Sequence, residues 1–464
     1  MSANPYLQQI HQVLPRLLSL FDEDATSGSC GMGDRYHWAW GLIDFGNATM
    51  QGAAHGLARL WKNGLWPYPT APHLFLHRID RMFEATAALA RRDGSLEEAF
   101  PNEGSYCVTA LVAYDLLCAL DLLRNDIPET TTRKWTAIVA PLIGFLHTSD
   151  ETHAFISNHL ATAAAALARW HAATGCGRSE ARAADLLRRI LRRQSSEGWF
   201  CEYEGADPGY QTLCTYYLAD LHTLRPDRRL LEPLERSVGF LNHFAHPDGS
   251  FGGLYGSRST RFYYPAGVEE LAPLVPQANA LRTFMGRSVA SMRTVTLVCM
   301  DAPNLAPMFN AYCKAAALHA KTPEDPAPES TLPAFTLRTP RHFPEAGLFV
   351  DGGERHYTIV GTNKGGCVVH FRDRKLVRYD GGIVIRRKNG DLGSTQSASA
   401  ENRVAIDERR IVVKAPVTKM NKRLPSPANF LLLRLLCCTV FRIRSLREWA
   451  KRLLVRLLIT GKNT

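Results

Sequence analysis

The stretch 195–221, S-S-E-G-W-F-C-E-Y-E-G-A-D-P-G-Y-Q-T-L-C-T-Y-Y-L-A-D-L, indicates how this chain folds. Gly198, Gly205 and Pro208 with Gly209 interrupt regular structure in its first half. In its second half apolar residues recur at helical spacing: Leu213, Tyr217, Leu218 and Leu221. The stretch is therefore a loop followed by a helix. Its polar and aromatic residues gather where the helix begins, a common place for a site because the first N–H groups of a helix are free donors.

The same order of turn and helix recurs along the chain. D-G-S at 93–95 precedes an apolar helix from Val108, and D-G-S at 248–250 precedes another helical region. Acidic markers fall roughly 50 residues apart, which is typical of repeated supersecondary units: Asp44, Asp93, Asp150, Glu197 and Asp248. About 50 residues hold two helices and their connections, so each unit is predicted to be an αα-hairpin.

The pattern changes after residue 320. T-P-E-D-P-A-P-E-S-T-L-P at 322–333 contains four prolines and is predicted to be a linker, over 321–335, without a helix. Beyond it, short β-branched runs such as H-Y-T-I-V-G at 356–361 are separated by Gly, Asn and Asp. Residues 1–320 are thus predicted to be helical hairpins, and 336–464 a smaller antiparallel, β-sandwich-like domain.

Composition and charge narrow the classes of partner. The 464 residues are 45% hydrophobic and 21% charged, which is ordinary for a globular protein. The net charge of +11 is confined to the C-terminus, because residues 414–464 contain twelve Lys and Arg against one acid, Glu448. The rest of the chain is neutral, so no nucleic-acid partner is predicted.

Cysteine and histidine patterns predict neither a disulfide framework nor a metal site. The eleven cysteines include no C-x-x-C pair or Cys/His cluster, which predicts buried free thiols in a reducing compartment. His147, His153 and His159 do not have the spacing of a helical ligand pair. The N-terminus resembles no signal peptide, so a cytoplasmic location is expected.

Two loops have the composition of sugar-binding sites. Residues 28–49 contain Trp40 and Asp44, an aromatic face for a sugar ring and an acceptor for hydroxyls, although the tryptophans could instead pack an N-terminal arm on the body. Residues 247–265 contain Arg258, Arg261 and Tyr264. Guanidinium groups bind carboxylate or sulfate bidentately, the alternative being ordinary surface arginines.

The alanine-rich segment 158–173 begins with Asn158 and His159, behind Ser157 as a plausible N-cap. Its small side chains predict an inner helix that approaches its neighbours closely. Asn158 and His159 would then lie in the first turn, beside free N–H groups.

Together, S-N-H before an alanine-rich helix and E-Y-E-G-A-D-P-G-Y-Q about 50 residues later resemble the heparinase II/III-like polysaccharide lyases. The resemblance implies an α/α toroid followed by a β-sandwich, cleavage of a uronate-containing glycan by β-elimination, and no cofactor. It implies that Asn158 helps to neutralise the uronate carboxylate and that Tyr210 acts as base and acid. The family's H-x-H-x-D strand motif has only G-G-C-V-V-H-F-R-D-R, with His370, as its counterpart here, which implies a divergent or shortened member.

The chemistry is consistent with these residue types. Removing a proton next to a carboxylate is difficult unless donors neutralise that carboxylate, and a phenol can take one proton and deliver another. The predicted catalytic residues are Asn158, His159, Tyr210 and Arg261. The predicted substrate-binding residues, for an acidic polysaccharide or oligosaccharide, are Trp40, Asp44, Glu103, Glu204, Arg258 and Tyr264.

The C-terminal segment 430–459 alternates leucines with arginines and is predicted to be a basic amphipathic helix. Arginines interrupt the segment, so each of its apolar runs is too short to span a bilayer. It either packs on the β-domain, the preferred interpretation, or lies on the inner face of an anionic membrane.

Two other functions stay open. A glycoside hydrolase on the same toroid would use two carboxylates, such as Glu103 with Asp207 or Asp44 with Asp248. A noncatalytic glycan-binding or assembly protein in surface-polysaccharide production would keep the groove without the chemistry. The sequence does not predict an oligomeric state.

Overall fold

A computed structural model describes most of the chain. The residues that it describes are 4–152, 154–203, 205–321, 328–399, 401–407, 410–420, 426–443, 445–450 and 453. The α-helices are α1 (Pro5–Leu18), α2 (Arg35–Trp38), α3 (Ala53–Lys62), α4 (Pro72–Leu89), α5 (Tyr106–Leu123), α6 (Glu129–Thr148), α7 (Ser157–Thr174), α8 (Gly177–Arg192), α9 (Pro208–Leu224), α10 (Arg228–Leu241), α11 (Ala266–Leu271), α12 (Pro276–Ala290), α13 (Ala302–His319), α14 (Pro333–Thr336) and α15 (Pro427–Cys438).

Six of these helices form a closed inner ring. Each of α3, α5, α7, α9, α11 and α13 packs on the next, and α13 packs on α3. The helices α1, α4, α6, α8, α10 and α12 lie outside them, which makes the predicted α/α toroid of helical hairpins. The alanines of the first half of α7, Ala161 and Ala163 to Ala166, are buried, and the helix packs between α5 and α9, as predicted for an inner helix.

The repeated turns predicted from the sequence share one geometry. In residues 91–95, 195–199 and 246–250 the first N–H donates to the fifth carbonyl at 2.9, 3.0 and 2.9 Å. The fourth residue of each is a glycine with φ of +81°, +100° or +91°, which disfavours any other residue. A Cβ on Gly94 or Gly198 would meet the carbonyl oxygen of Pro141 on α6 or Arg236 on α10. These turns therefore fix how a hairpin loop packs on an outer helix.

A buried ion network links four inner helices away from their N-termini. Asp220 on α9 accepts hydrogen bonds from Arg169 on α7, at 2.7 and 2.9 Å, and from Lys314 on α13, at 2.8 Å. Lys314 also donates to Glu270 on α11 at 2.6 Å. Burial alone would raise the pKa of Asp220, but the charges of Arg169 and Lys314 hold it well below its usual range. The network therefore joins four of the six inner helices through largely buried ion pairs.

The predicted antiparallel β-region follows the toroid. One sheet has five strands in sequential order, β1 (Arg341–Phe343), β2 (Leu348–Gly352), β3 (His356–Gly361), β4 (Cys367–Arg372) and β5 (Lys375–Asp380). A second contains β6 (Val384–Arg386), β7 (Leu392–Ser394) and β10 (Thr418–Lys419), and a third pairs β8 (Arg403–Ile406) with β9 (Ile411–Lys414).

The five-stranded sheet packs on the toroid loops that precede inner helices. The Tyr357 hydroxyl donates to the carbonyl of His243 at 2.7 Å, and the Lys364 ammonium donates to that of Gly256, also at 2.7 Å. The hydroxyls of Ser195 and Ser196 both donate to Glu345. The sheet therefore lies at the end of the toroid where α9 and α11 begin.

The linker prediction was wrong in one respect. Pro333 does not prevent a helix but begins α14, because the first helical position needs neither an N–H donor nor a different φ. Residues 322–327 of the predicted linker lie outside the described residues.

The preferred placement of the C-terminal segment was also wrong. The described part of 430–459 packs on toroid loops rather than on the β-region: Arg434 pairs with Asp44 at 3.2 Å, and the Asn102 amide donates to the Cys437 carbonyl at 3.1 Å. Arg434 and Arg447 face inward, whereas the apolar residues Ile443, Leu446 and Trp449 are exposed, which is the reverse of the predicted orientation; Arg442 is exposed as well. Of the described helices, α5 alone is long and apolar enough to cross a bilayer, and 83% of it is buried in the toroid.

All eleven cysteines are unpaired, but the predicted burial holds for only some of them. Five of them are buried, whereas Cys299 and Cys438 are exposed.

Candidate functional site

Asp207 is the last residue before α9 and fixes the surrounding loops to the start of that helix. One carboxylate oxygen accepts the main-chain N–H of Tyr210 at 3.1 Å and the hydroxyl of Thr260. The other accepts the main-chain N–H of Arg258 at 2.9 Å. The Asp207 side chain is fully buried, and both of its oxygens accept hydrogen bonds. These bonds cap α9 and place the main chain of Arg258 beside its first turn.

A buried glutamate joins the start of α7 to the same loop. Glu202 accepts from the main-chain N–H of Asn158 at 3.0 Å and from the Asn158 amide at 2.7 Å. Burial raises the pKa of Glu202 to about 8, against the effect of these two hydrogen bonds. The carboxyl group is therefore mostly protonated and neutral at pH 7.

His159 stands in the same first turn of α7, as predicted. Its Nδ1 lies 2.6 Å from Glu151, a carboxylate that is almost fully buried. This contact directs Nδ1 toward Glu151 and leaves Nε2 on the other side of the ring. The helix begins at Ser157 itself, whose hydroxyl donates to the carbonyl of Cys201 at 2.7 Å instead of capping the helix.

Tyr203 has a strained backbone next to an arginine. Its φ of +63° is uncommon for a bulky residue. The guanidinium carbon of Arg258 lies 4.3 Å from the centre of its ring, within the range of a cation–π contact. Burial raises the pKa of Tyr203, and the Arg258 charge opposes that shift. Strained residues of this kind cluster at ligand sites.

The phenol of Tyr210 lies near Arg258, Glu202 and Tyr203. Its ring packs edge-on against Phe262 with centroids 5.5 Å apart. Burial raises the pKa of Tyr210 to about 12, and the Arg258 charge acts to lower it. Within the described part of the chain, the hydroxyl of Tyr210 has no hydrogen-bond partner. A ligand that reaches this end of α9 could therefore bond to it.

The structure groups four of the predicted site residues, Asn158, His159, Tyr210 and Arg258, around the starts of α7 and α9. Arg261 lies on the same loop as Arg258, but its guanidinium carbon is over the ring of Tyr379 on β5, at 5.7 Å. Arg258 rather than Arg261 is the arginine that accompanies Tyr210.

The other predicted binding residues have different surroundings. Tyr264 is buried, and its main-chain N–H donates to the Thr212 hydroxyl at 2.8 Å. Glu103 is buried and accepts from the N–H groups of Glu98 and Ala99 at 3.2 and 2.8 Å. The Glu103 carboxylate therefore holds the loop before α5, and the Tyr264 side chain is buried in the protein.

Trp40 and Asp44 lie on the loop before α3. Trp40 is exposed and packs against Tyr36, with centroids 6.1 Å apart, and Asp44 is paired with Arg434. Glu204 lies outside the described residues.

His370, the counterpart of the family's strand histidine, is directed away from the toroid. Its neighbour Phe371 packs on His246 of a toroid loop at 4.8 Å, and successive side chains of a strand point to opposite faces. The His370 imidazole instead bonds Thr358 at 2.8 Å on the outer face of the sheet. It does not reach the group formed by Asn158 and Tyr210.

Sequence reasoning missed three residues of the site: Glu151, Glu202 and Tyr203. Glu202 and Tyr203 stand inside the E-Y-E-G motif, where a tyrosine between two acidic residues was the available signal. Glu151 gave no such signal, because only the fold of the loop brings it to His159. Among the described residues, no group of three or more His, Cys, Asp and Glu side chains is arranged to hold a metal ion.

Comparison with solved structures identifies the fold. A cellobiose 2-epimerase from Bacillus thermoamylovorans is similar over 68% of this chain and 100% of its own, with a TM-score of 0.50 and 10% identity. A chondroitin AC lyase from Streptomyces coelicolor, solved with chondroitin sulphate, covers 80% of this chain with a TM-score of 0.53 and 15% identity. A Paenibacillus xanthan lyase covers 79% with a TM-score of 0.52 and 10% identity.

This chain spans 55% of the length of the chondroitin lyase and 37% of that of the xanthan lyase. At these identities the likeness shows a shared toroid fold, which by itself does not define an activity. No protein-family model matches the sequence, and no curated protein sequence is similar to it.

Proposed function

We propose that the protein is a polysaccharide lyase that cleaves a uronate-containing glycan by β-elimination. The observation that carries the proposal is the Tyr210 phenol, which has no hydrogen-bond partner among the described residues and lies beside Arg258 and a neutral Glu202. A proton acceptor, a cation and neutral hydrogen-bonding groups are what the elimination needs in one place.

The reaction removes the proton next to the uronate carboxylate and breaks the C–O bond one carbon further along. Electrons from the C–H bond form a C=C bond, and the leaving oxygen takes a proton. In the proposed mechanism Tyr210 reacts in its ionised, phenolate form: it takes the first proton, and the phenol so formed delivers a proton to the leaving oxygen. The Arg258 charge, which lowers the pKa of Tyr210, favours the phenolate. Water is not consumed, so the new non-reducing end is an unsaturated uronate.

Arg258 and Asn158 would neutralise the substrate carboxylate. A guanidinium group binds a carboxylate bidentately, and Arg258 is exposed where a glycan could reach it. Ionised Glu202 would repel the substrate at this position. Its raised pKa keeps it neutral, so that Asn158 is held without adding a second negative charge.

His159 is a second candidate for taking the proton, because Glu151 orients its imidazole and the residue lies in the same first turn of α7 as Asn158. The variants Tyr210→Phe and His159→Gln would separate the two residues. Loss of turnover in only one of them would identify the base.

The two lyases among the similar structures support this proposal, since both are named for acidic polysaccharides and share the toroid. The epimerase has the same fold, so the residues of the site decide between activities. The proposed ligand is accordingly an acidic polysaccharide or oligosaccharide.

A hydrolase is less well supported, because the carboxylates that it would need are engaged. Asp207 and Glu103 accept main-chain N–H groups, Asp248 accepts from the N–H and hydroxyl of Ser250, and Asp44 pairs with Arg434. Hydrolysis needs one carboxyl group free to give a proton and another free to assist the attack.

The experiment that tests the proposal is digestion of an acidic-glycan panel in heavy-oxygen water, followed by mass spectrometry. Elimination predicts unsaturated products without heavy oxygen. Hydrolysis would place heavy oxygen in a saturated product and would refute the lyase. Glycan binding without any product would instead favour the noncatalytic protein.

A further inference from the structure

Helix α15 directs its arginine toward the protein and its leucines toward solvent, the opposite of a typical surface helix. Arg434 faces the toroid, with 19% of its side chain exposed, in an ion pair with Asp44 at 3.2 Å and over the ring of Phe45 at 5.4 Å. Leu431 and Leu435 face outward and are 69% and 60% exposed. An exposed apolar face of this kind marks a surface that another body covers.

The exposed apolar face continues beyond the helix. The large apolar residues exposed along this segment are Phe430, Leu431, Leu432, Leu435, Ile443, Leu446, Trp449 and Leu453, which we call the C-terminal apolar face.

Buried residues that alternate with the exposed ones along the segment fix the orientation of this face. Phe441 is buried beside Phe100 at 6.1 Å, and Arg447 is buried and donates to the Asn102 carbonyl at 3.1 Å. The exposed leucines therefore do not result from a segment that lacks packing partners, since its other side is packed.

We propose that the C-terminal apolar face docks on the surface of an anionic lipid bilayer. The charge of the chain supports this partner, because residues 414–464 contain twelve Lys and Arg against the single acid Glu448, whereas the remainder is neutral. Apolar side chains enter the boundary of the acyl chains while basic residues meet the lipid phosphates. α15 has twelve residues and is too short to span.

A second copy of the chain fits this surface less well. Pairing two such faces would bring two strongly basic segments together, and their repulsion would oppose the contact. An anionic surface has the opposite charge.

The docked face lies at the end of the toroid that carries the candidate site. The C-terminal segment contacts Asp44, Asn102 and Thr152, which stand in the loops before α3, α5 and α7. Asn158 and Tyr210 lie at the starts of α7 and α9. A bound bilayer would therefore lie beside the site. Docking does not depend on the proposed chemistry, so Tyr210→Phe should bind vesicles as the wild type does.

Flotation of the full chain with phosphatidylcholine vesicles, with and without phosphatidylserine, tests the proposal. We expect the wild type to float with the anionic vesicles and high salt to release it. The double variant Leu431→Glu with Leu435→Glu should weaken binding by at least about 100-fold, since two leucines no longer enter the boundary. Arg442→Glu should weaken binding to anionic vesicles by about 5-fold or more.

The matched control is Leu74→Glu, which changes an exposed leucine on the outer helix α4 and should leave binding unchanged. Because all of these side chains are exposed, the variants should fold as the wild type does, which circular dichroism checks. Absence of wild-type flotation, or flotation that the double variant keeps, would overturn the proposal. So would a dimer in light scattering that the double variant dissociates.

Discussion

Glu202 holds Asn158 through both of its carboxylate oxygens, one on the main-chain N–H at 3.0 Å and one on the side-chain amide at 2.7 Å. The pair joins two repeats of the toroid, because Asn158 lies in the first turn of α7 and Glu202 belongs to the loop before α9. The protonation state of Glu202 therefore affects both the stability of this junction and the charge of the site.

Glu202→Gln should reduce the dependence of stability on pH. Burial raises the pKa of Glu202 from 4.5 to about 8, so the folded protein holds a proton that the unfolded chain has released. This contribution is complete below about pH 4.5 and is lost as pH rises to about 8, at roughly 1.4 kcal/mol per pH unit. Urea unfolding of both proteins from pH 5 to pH 8 should show that the free energy of unfolding of the variant rises relative to that of the wild type as the pH increases. A constant difference would contradict the assignment.

Arg258→Gln should move the pH profile of activity. The Arg258 charge lowers the pKa of Tyr210, so its removal should raise that pKa further and shift the rising, acidic limb of kcat/KM, which reports the base, to higher pH. Arg258→Lys should restore part of the shift but not the bidentate contact, leaving KM high. Arg229→Gln, at an exposed arginine on α10, is the control. An unshifted profile in Arg258→Gln would separate this arginine from Tyr210.

Gly198→Ala should destabilise the fold by more than about 1 kcal/mol, because a Cβ there would meet the Arg236 carbonyl and φ is +100°. Gly144→Ala is the matched control. Gly144 lies exposed in the interior of α6 with nothing close to its Cβ position, so alanine should stabilise by roughly 0.5–1 kcal/mol. Urea midpoints measure both changes, and equal effects would refute the role given to the repeated turn.

Asp220→Asn should destabilise the protein by about 3–5 kcal/mol, since it leaves Arg169 and Lys314 buried without their shared carboxylate. Asp121→Asn removes an exposed carboxylate 3.7 Å from the same arginine and should cost less than about 1 kcal/mol. Thermal unfolding compares the two variants. A small effect at Asp220 would mean that the network does not stabilise the packing of the inner helices.

The repeats could be predicted because their signals are local. D-G-S turns, helical periodicity and the proline-rich stretch each depend on a few adjacent residues, and the toroid and the antiparallel sheets follow from them. The starts of α7 and α9 could be located for the same reason.

The partners of the site could not be predicted, because they depend on contacts between distant segments. Arg434 lies almost four hundred residues from Asp44, so nothing local indicated that this aspartate anchors the C-terminal segment. The tie between Asn158 and Glu202, and the choice of Arg258 over Arg261, also depend on how loops of separate repeats meet.

The most direct test of the account is an ultraviolet assay for unsaturated uronate over a panel of acidic polysaccharides, with the wild type, Tyr210→Phe and Tyr68→Phe side by side. The account predicts product with the wild type and with the surface variant Tyr68→Phe. It predicts a loss of about 100- to 10,000-fold in Tyr210→Phe, with glycan binding and stability retained because the phenol has no hydrogen-bond partner among the described residues. Full activity in Tyr210→Phe, or no unsaturated product from any glycan of the panel, would contradict it.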